Sequence, residues 1–73
     1  MRAWLKDRRV NVNLTQQEVA DYLGVHISHY SNIENGTRQK DMDMSLIVKL
    51  SEVLKMPIDE IVQNELELHH ENN

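Results

Sequence analysis

Two short helical patterns that meet at Gly24 constrain the fold of this chain more than any other feature. Thr15 and Glu18 have the spacing of a capping box, in which each side chain accepts a hydrogen bond from the other residue's amide. A short helix is predicted from this box to about Tyr22. Gly24 follows at once, where a sharp turn requires a positive φ. The pattern predicts a helix that ends in a tight turn.

A second short helix, from about Ile27 to Glu34, is predicted directly after this turn. Tyr30 and Ile33 are spaced to face the core, and Asn35-Gly36 ends the helix. The small Ala20 allows the two helices to approach closely, which is typical of a helix-turn-helix. The exposed face then carries the side chains of Ile27, Ser28, His29, Ser31 and Asn32. Such a slim face suits the DNA major groove, but any small helical protein contains similar helix pairs.

Three further helices complete a compact all-α domain. The first is predicted over residues 2–12, the fourth begins after Asp43 as N-cap, and the fifth opens at Pro57. The apolar positions expected to face the core in these helices are Trp4, Leu5, Val12, Met44, Ile47, Val48, Leu50, Val53, Leu54, Ile58, Ile61 and Val62. We expect one domain over residues 1–66, with the helix-turn-helix at 15–36 and a polar, flexible tail at 67–73.

Composition narrows the class of protein. The 73 residues contain no cysteine, which excludes disulfides and thiolate catalysis, and no apolar run approaches a membrane span of roughly 20 residues. The first residues carry no apolar signal segment. We therefore expect a cytoplasmic, nucleoid-associated protein without membrane contact.

The charge is unevenly distributed along the chain. Residues 1–40 carry six lysines and arginines against four acidic residues, for a net +2, whereas residues 41–73 carry two against eight, for −6. A net charge of −4 alone argues against nucleic acid, because phosphate neutralisation supplies most non-specific affinity. The mildly basic front half nevertheless leaves one face able to meet phosphate.

Three segments of the chain closely resemble the Cro/CI-type, or xenobiotic-response-element, helix-turn-helix family. They are Leu14-Thr15-Gln16-Gln17-Glu18-Val19-Ala20-Asp21-Tyr22-Leu23-Gly24-Val25, Tyr30-Ser31-Asn32-Ile33-Glu34-Asn35-Gly36 and Leu50-Ser51-Glu52-Val53-Leu54-Lys55-Met56-Pro57-Ile58-Asp59-Glu60-Ile61. The resemblance covers roughly residues 4–62. It implies a lambda-repressor-like domain and a sequence-specific transcriptional regulator, most simply a repressor, that binds double-stranded DNA.

The resemblance also implies roles for individual residues. Base reading falls to Ile27, Ser28, His29 and Asn32, with Asn32 suited to adenine, His29 to guanine and Ile27 to a thymine methyl group. The residues implied to contact phosphate are Gln16, His26, Asn35, Gly36, Arg38 and Lys40. Arg9 and Glu34 resemble the family's buried ion pair, which ties the first helix to the end of the third.

The chain departs from the family pattern at three positions. His26 stands where Ser or Thr usually caps the recognition helix, and histidine is a poorer cap, so we expect a frayed helix start or a phosphate contact by His26. Arg8 replaces an apolar residue, and its stem should lie along the core. Lys55 stands where glycine is frequent.

Other functions are disfavoured by the residues. His26 and His29, or His69 and His70, are spaced like metal ligands, but they lack cysteine or carboxylate partners, so no metal or other cofactor is expected. No nucleophile, phosphate loop or carboxylate pair indicates an enzyme, and no effector pocket indicates a small-molecule ligand.

The partners expected are therefore DNA and a second copy of the chain. A homodimer would use the last helix and the apolar residues near Ile58 to Leu68, with Trp4 as a possible contributor. The alternative is a protein-binding module of the same family, of the antitoxin or anti-repressor type, which the acidic rear half keeps open.

Overall fold

The computed structural model describes residues 1–36 and 42–71, with side chains described as far as residue 67. Within these residues the chain forms five α-helices: α1 Ala3–Asn11, α2 Gln16–Leu23, α3 Ile27–Asn35, α4 Met44–Leu54 and α5 Ile58–Glu71. The predicted all-α class with five helices is confirmed. The last helix ends at Glu71, and the domain boundary at residue 66 stays a prediction.

Local signals set both ends of α2. The Glu18 amide donates to Thr15 Oγ1 over 3.1 Å, and the Thr15 amide donates to Glu18 Oε1 over 2.9 Å, so both halves of the capping box form. At the other end, Gly24 adopts φ +74° and its amide donates back to the carbonyls of Ala20 and Asp21. Glycine takes this left-handed conformation without steric cost, and α2 therefore stops where the turn must begin.

Two unusual residues, Arg8 and Lys55, meet at the end of α4. Lys55 takes the left-handed conformation at φ +54°, which a residue with a side chain adopts less readily than glycine. The Arg8 guanidinium donates to the carbonyls of Leu54 at 3.0 Å and of Lys55 at 2.8 Å. Arg8 thus satisfies carbonyls that the helix end leaves without partners, and the two departures from the family pattern support one another.

The core lies where α2 packs between α3 and α4, with α1 against α3 and α5 against α4. Every helix contributes to it, and its buried apolar residues are Leu5, Val19, Ala20, Leu23, Tyr30, Ile33, Ile47, Leu50, Leu54, Met56 and Ile61. Trp4, Val12, Leu46 and Val53 pack against this cluster while partly buried. The core holds α2 and α3 at a fixed angle and leaves the other side of α3 facing outward.

For four apolar residues, the prediction of a core position is wrong. Ile58 and Val62 on α5, and Met44 and Val48 on α4, are exposed. The inward face of α5 instead carries Ile61 and Glu65, four residues apart, which rotates Ile58 and Val62 away from the core. Along α5, Ile58, Val62 and Leu66 form an exposed apolar row, named here the α5 row.

Candidate nucleic-acid interface

The α3 helix has one buried face and one outward face. Tyr30, Ile33 and Glu34 are buried on the inner face of the helix. On the outer face Ser28, His29 and Asn35 are exposed, while Ile27, Ser31 and Asn32 are partly buried. All four predicted base-reading residues therefore lie together at the start and middle of one short helix, although Ile27 also packs against the core.

His26 caps this helix directly, contrary to the expected frayed start. It is the N-cap in an extended conformation, and its Nδ1 accepts the Ser28 amide over 3.1 Å. Nδ1 therefore supplies the acceptor that a serine or threonine oxygen supplies at other N-caps. The Ser28 Oγ also lies within hydrogen-bond distance of the same Nδ1, at 2.8 Å. His26 thus fixes the start of α3 and contacts the Ser28 side chain.

The carboxylate of Glu34 joins three helices at the other end of α3. Arg9 of α1 donates to it twice, from Nε over 2.9 Å and from Nη2 over 3.2 Å. The Tyr30 hydroxyl donates over 2.8 Å, and the Gln16 amide of α2 donates over 3.1 Å. Glu34 is only 2% exposed, so these four donors replace the water that a carboxylate would otherwise bind.

The environment of Glu34 shifts the ionisation of the whole cluster. Burial opposes its ionisation, but hydrogen bonds from Arg9, Tyr30 and Gln16 outweigh burial and hold the pKa of Glu34 below its ordinary value. The hydrogen bond to Glu34 raises the pKa of Arg9, against the opposing effect of burial. Burial, and then the bond to the carboxylate, raise the pKa of Tyr30 well above its usual range. The cluster is therefore a charged pair with a neutral phenol, fully hydrogen-bonded.

Gln16 links this buried cluster to the surface. Its side chain is the first on α2, beside amides that the helix start leaves without helical partners. One amide hydrogen is committed to Glu34 Oε1. Since a carboxylate cannot donate, this contact orients the NH₂ group toward Glu34 and leaves its second hydrogen for another acceptor.

The turn after α3 is held by backbone hydrogen bonds. Gly36 adopts φ +68°, and its amide donates to the carbonyls of Asn32 at 2.8 Å and Ile33 at 3.3 Å. Asn35 is exposed, with Nδ2 at 3.5 Å from Ser31 Oγ. Asn35 and Gly36 thus follow the predicted reading face, whereas Arg38 and Lys40 lie outside the described residues.

An open groove lies between α3 and the first half of α4. It has a volume of about 230 Å³, and its lining includes Leu23, Val25, His29 and Lys49. Lys49 is exposed and borders the same groove as the base-reading candidate His29. A basic residue of the acidic rear half therefore lies beside the recognition helix, which the sequence pattern did not indicate.

Sequence reasoning also missed a second buried cluster around Arg2, Trp4 and Glu65. Arg2 is fully buried and pairs with Glu65 of α5, and Trp4 Nε1 donates to the same carboxylate over 3.2 Å. The spacing from Ile61 to Glu65 is a signal that Glu65 faces inward. No local pattern marks Arg2, because its partner lies 63 positions away.

Two further observations concern membrane-spanning helices and metal sites. In the part of the chain that it describes, no helix is long and apolar enough to cross a membrane. The same residues contain no group of three or more His, Cys, Asp or Glu that could hold a metal ion.

The two short helices, the left-handed turn and the outward polar face of α3 define a helix-turn-helix DNA-binding domain. The sequence profile of the family described as "Helix-turn-helix" matches residues 5–61, and the chain belongs to this family, in its Cro/CI-type branch. Among curated proteins, the chain is similar to the "Uncharacterized HTH-type transcriptional regulator YqaF" of Bacillus subtilis (strain 168), with 42% identity over 45 residues. That match spans 62% of this chain and 59% of the relative. No solved structure is significantly similar to the chain.

Proposed function

We propose that this protein regulates transcription by placing α3 in the major groove of an operator. The outward face of α3 carries the proposal, because it presents short polar side chains on a helix whose inner face is fixed by the Glu34 cluster. The similarity to a protein named as an HTH-type transcriptional regulator supports this reading. Repression is the simplest outcome, since occupying a promoter needs no activating surface.

Base reading is assigned to Ile27, Ser28, His29 and Asn32. Asn32 has the donor and acceptor pair that matches adenine in the major groove. The Ser28 hydroxyl, which lies 2.8 Å from His26 Nδ1, can donate to or accept from a base edge. Ile27 keeps part of its surface for a thymine methyl group.

Phosphate contacts are assigned to both sides of this face. The second amide hydrogen of Gln16 and the start of α2 form one donor group, and the exposed imidazole of His26 at the start of α3 is assigned as a second contact. Asn35 and Gly36 serve the far side of the groove, as do Arg38 and Lys40. Lys49 is a further candidate because it borders the groove beside His29.

A homodimer on a palindromic operator gives this short helix useful specificity. Two-fold symmetry places the recognition helices about 34 Å apart, one turn of DNA. The domain measures 32 × 24 × 22 Å, so its longest dimension is similar to that spacing. The α5 row is the proposed dimer surface, since Ile58, Val62 and Leu66 lie outside the core on one side of the helix.

The direct test is selection of bound duplexes from random DNA at physiological salt. The proposal predicts enrichment of an inverted repeat with half-sites one helical turn apart. Recovery of no common sequence would contradict specific binding, and recovery of a single half-site by a monomer would contradict the dimer. Val62→Lys, compared with Val48→Lys on α4, tests the dimer surface, because the two valines are 37% and 38% exposed. Only Val62→Lys should abolish dimerisation in sedimentation equilibrium.

A second candidate is a module that binds another protein, which the α5 row also favours. Such a module would have no need for phosphate contacts. Retention on heparin and on bulk DNA that falls with rising salt supports the DNA-binding proposal, whereas no retention favours the protein-binding one.

A further inference from the structure

The guanidinium of Arg2 joins the end of α3 to α5. Nη1 donates to the Ile33 carbonyl over 2.6 Å. Nε and Nη2 donate to the two oxygens of Glu65 over 2.9 and 3.0 Å. The Arg2 side chain is 0% exposed, so its guanidinium lies out of reach of water and of DNA, while the Glu65 side chain keeps 11% of its surface exposed.

The backbone of Arg2 reinforces this connection. Its amide donates to the Glu34 carbonyl over 2.8 Å, so the residue binds two successive carbonyls in the last turn of α3. The Ile33 carbonyl also accepts from the Gly36 amide, and a Cβ placed on Gly36 would lie 3.9 Å from Arg2 Nη1. Arg2 therefore packs against the Asn35–Gly36 turn proposed to contact phosphate.

Stability alone does not explain a buried pair of this kind. Taking two charges out of water is costly, and apolar residues of similar volume frequently stabilise a fold as well or better. What the pair supplies is orientation, because the planar guanidinium fixes one carbonyl and one carboxylate at the same time.

We propose that Arg2 is a positioning residue for DNA binding, which sets the end of α3 and the Asn35–Gly36 turn relative to Glu65 on α5. The inference rests on the proposed function, because it assigns a DNA-binding consequence to a buried contact. Arg2 also couples two surfaces. A shift of α5, which carries the α5 row, is transmitted through the Arg2 side chain to the Asn35–Gly36 turn.

The test replaces the pair with apolar residues in the double variant Arg2→Met/Glu65→Leu. One positive and one negative charge are lost, so the net charge of the chain does not change. The matched control is Lys6→Met/Glu67→Leu, which removes the same charges from exposed positions on α1 and α5. We expect both variants to fold, and only the first to bind the duplex selected by the wild-type protein about five- to tenfold more weakly.

The dependence of affinity on salt separates positioning from direct contact. Since Arg2 is buried, its loss should leave the slope of log affinity against log salt unchanged. A slope reduced by about one, which corresponds to the loss of one phosphate contact, would show that Arg2 itself binds DNA and would overturn the proposal. Unchanged affinity in a folded double variant would overturn it as well.

A readout without DNA keeps the test independent of the proposed function. Failure of the wild-type protein and the control to bind any duplex would refute the proposed function. Hydrogen exchange of the Gly36 amide then decides the positioning role: faster exchange in the double variant than in the control supports it, and equal exchange contradicts it. If the double variant does not fold, Glu65→Gln is measured in the same ways against Glu67→Gln.

Discussion

The two ends of α3 are held in different ways, and the difference bears on how a short helix reads DNA. The amino-terminal end is exposed and is capped by the imidazole of His26. At the carboxyl-terminal end Glu34 is buried, and two ion pairs hold this end, Arg9 with Glu34 and, beside it, Arg2 with Glu65. The scaffold therefore fixes α3 at the end remote from most base-reading residues. The end that carries those residues depends on one weak cap.

The largest effect is expected at the buried end. Glu34→Ala leaves the Arg9 guanidinium buried without its carboxylate and removes the acceptor of Tyr30 and Gln16. Breaking a buried pair by removing one partner costs about 3–5 kcal/mol. Urea unfolding should show this loss in the free energy of unfolding, whereas Glu52→Ala, at an exposed glutamate, should change it by less than about 1 kcal/mol. Equal losses of free energy in the two variants would contradict the larger stabilisation expected at the buried end of α3.

The same carboxylate predicts how stability depends on pH. The pKa of Glu34 is lower in the folded protein than its ordinary value of 4.5, so the unfolded chain takes up the proton first as pH falls. The contribution of Glu34 is therefore complete above its ordinary pKa and is lost as pH falls through the lowered folded value. Unfolding measured between pH 7 and 3 should show this loss in the wild type. Glu34→Gln should have a flatter profile over the acidic part of the range, and identical profiles would contradict the assignment.

At the reading face, two asparagines test the proposed division between bases and phosphates. Asn32→Ala should cost about 1–3 kcal/mol at the selected site and leave non-specific binding intact. Asn35→Ala, the same substitution at the turn, should weaken binding to all sequences alike. Competition binding with selected and scrambled duplexes measures both effects. Equal losses by both variants on every sequence would refute the division.

The amino-terminal cap should have a smaller effect. His26→Ala removes the acceptor of the Ser28 amide and should cost about 0.5–2 kcal/mol of stability. His26→Ser should restore most of it, because serine is a strong N-cap. Thermal unfolding compares the two variants with His29→Ala, which removes an exposed histidine outside the cap. A loss from His29→Ala as large as that from His26→Ala would argue against the cap.

The smallest effect concerns the basic residue beside the groove. Lys49→Ala should reduce the slope of log affinity against log salt by about one, if Lys49 meets a phosphate. Lys55→Ala removes the same charge at the other end of α4 and should leave the slope unchanged. DNA titrations at several salt concentrations distinguish the two variants. Equal slopes for the wild type and both variants would show that Lys49 does not contact DNA.

Much of the fold was predictable because its signals are local. The capping box of Thr15 and Glu18 and the left-handed turn at Gly24 depend on residues within a few positions of each other. These signals place α2 and α3, and the periodicity of Tyr30 and Ile33 indicates which face of α3 is buried.

The features that escaped prediction depend on distant partners. Arg2 and Glu65 are 63 positions apart, so neither residue marks the other in the sequence. The apolar character of Ile58 and Val62 predicts a core position, but packing turns Ile61 and Glu65 inward instead. His26 is a weak cap by residue preference, yet its extended backbone brings Nδ1 to the Ser28 amide.

The central claim, that the outer face of α3 meets DNA while the opposite face anchors it, can be tested by amide NMR. The protein would be titrated with the selected duplex, and the shift of each backbone amide would be followed. We expect the largest changes at residues 26–32, at Gln16 and at the Asn35–Gly36 turn. Changes largest on α5, with α3 unaffected, would contradict the claim.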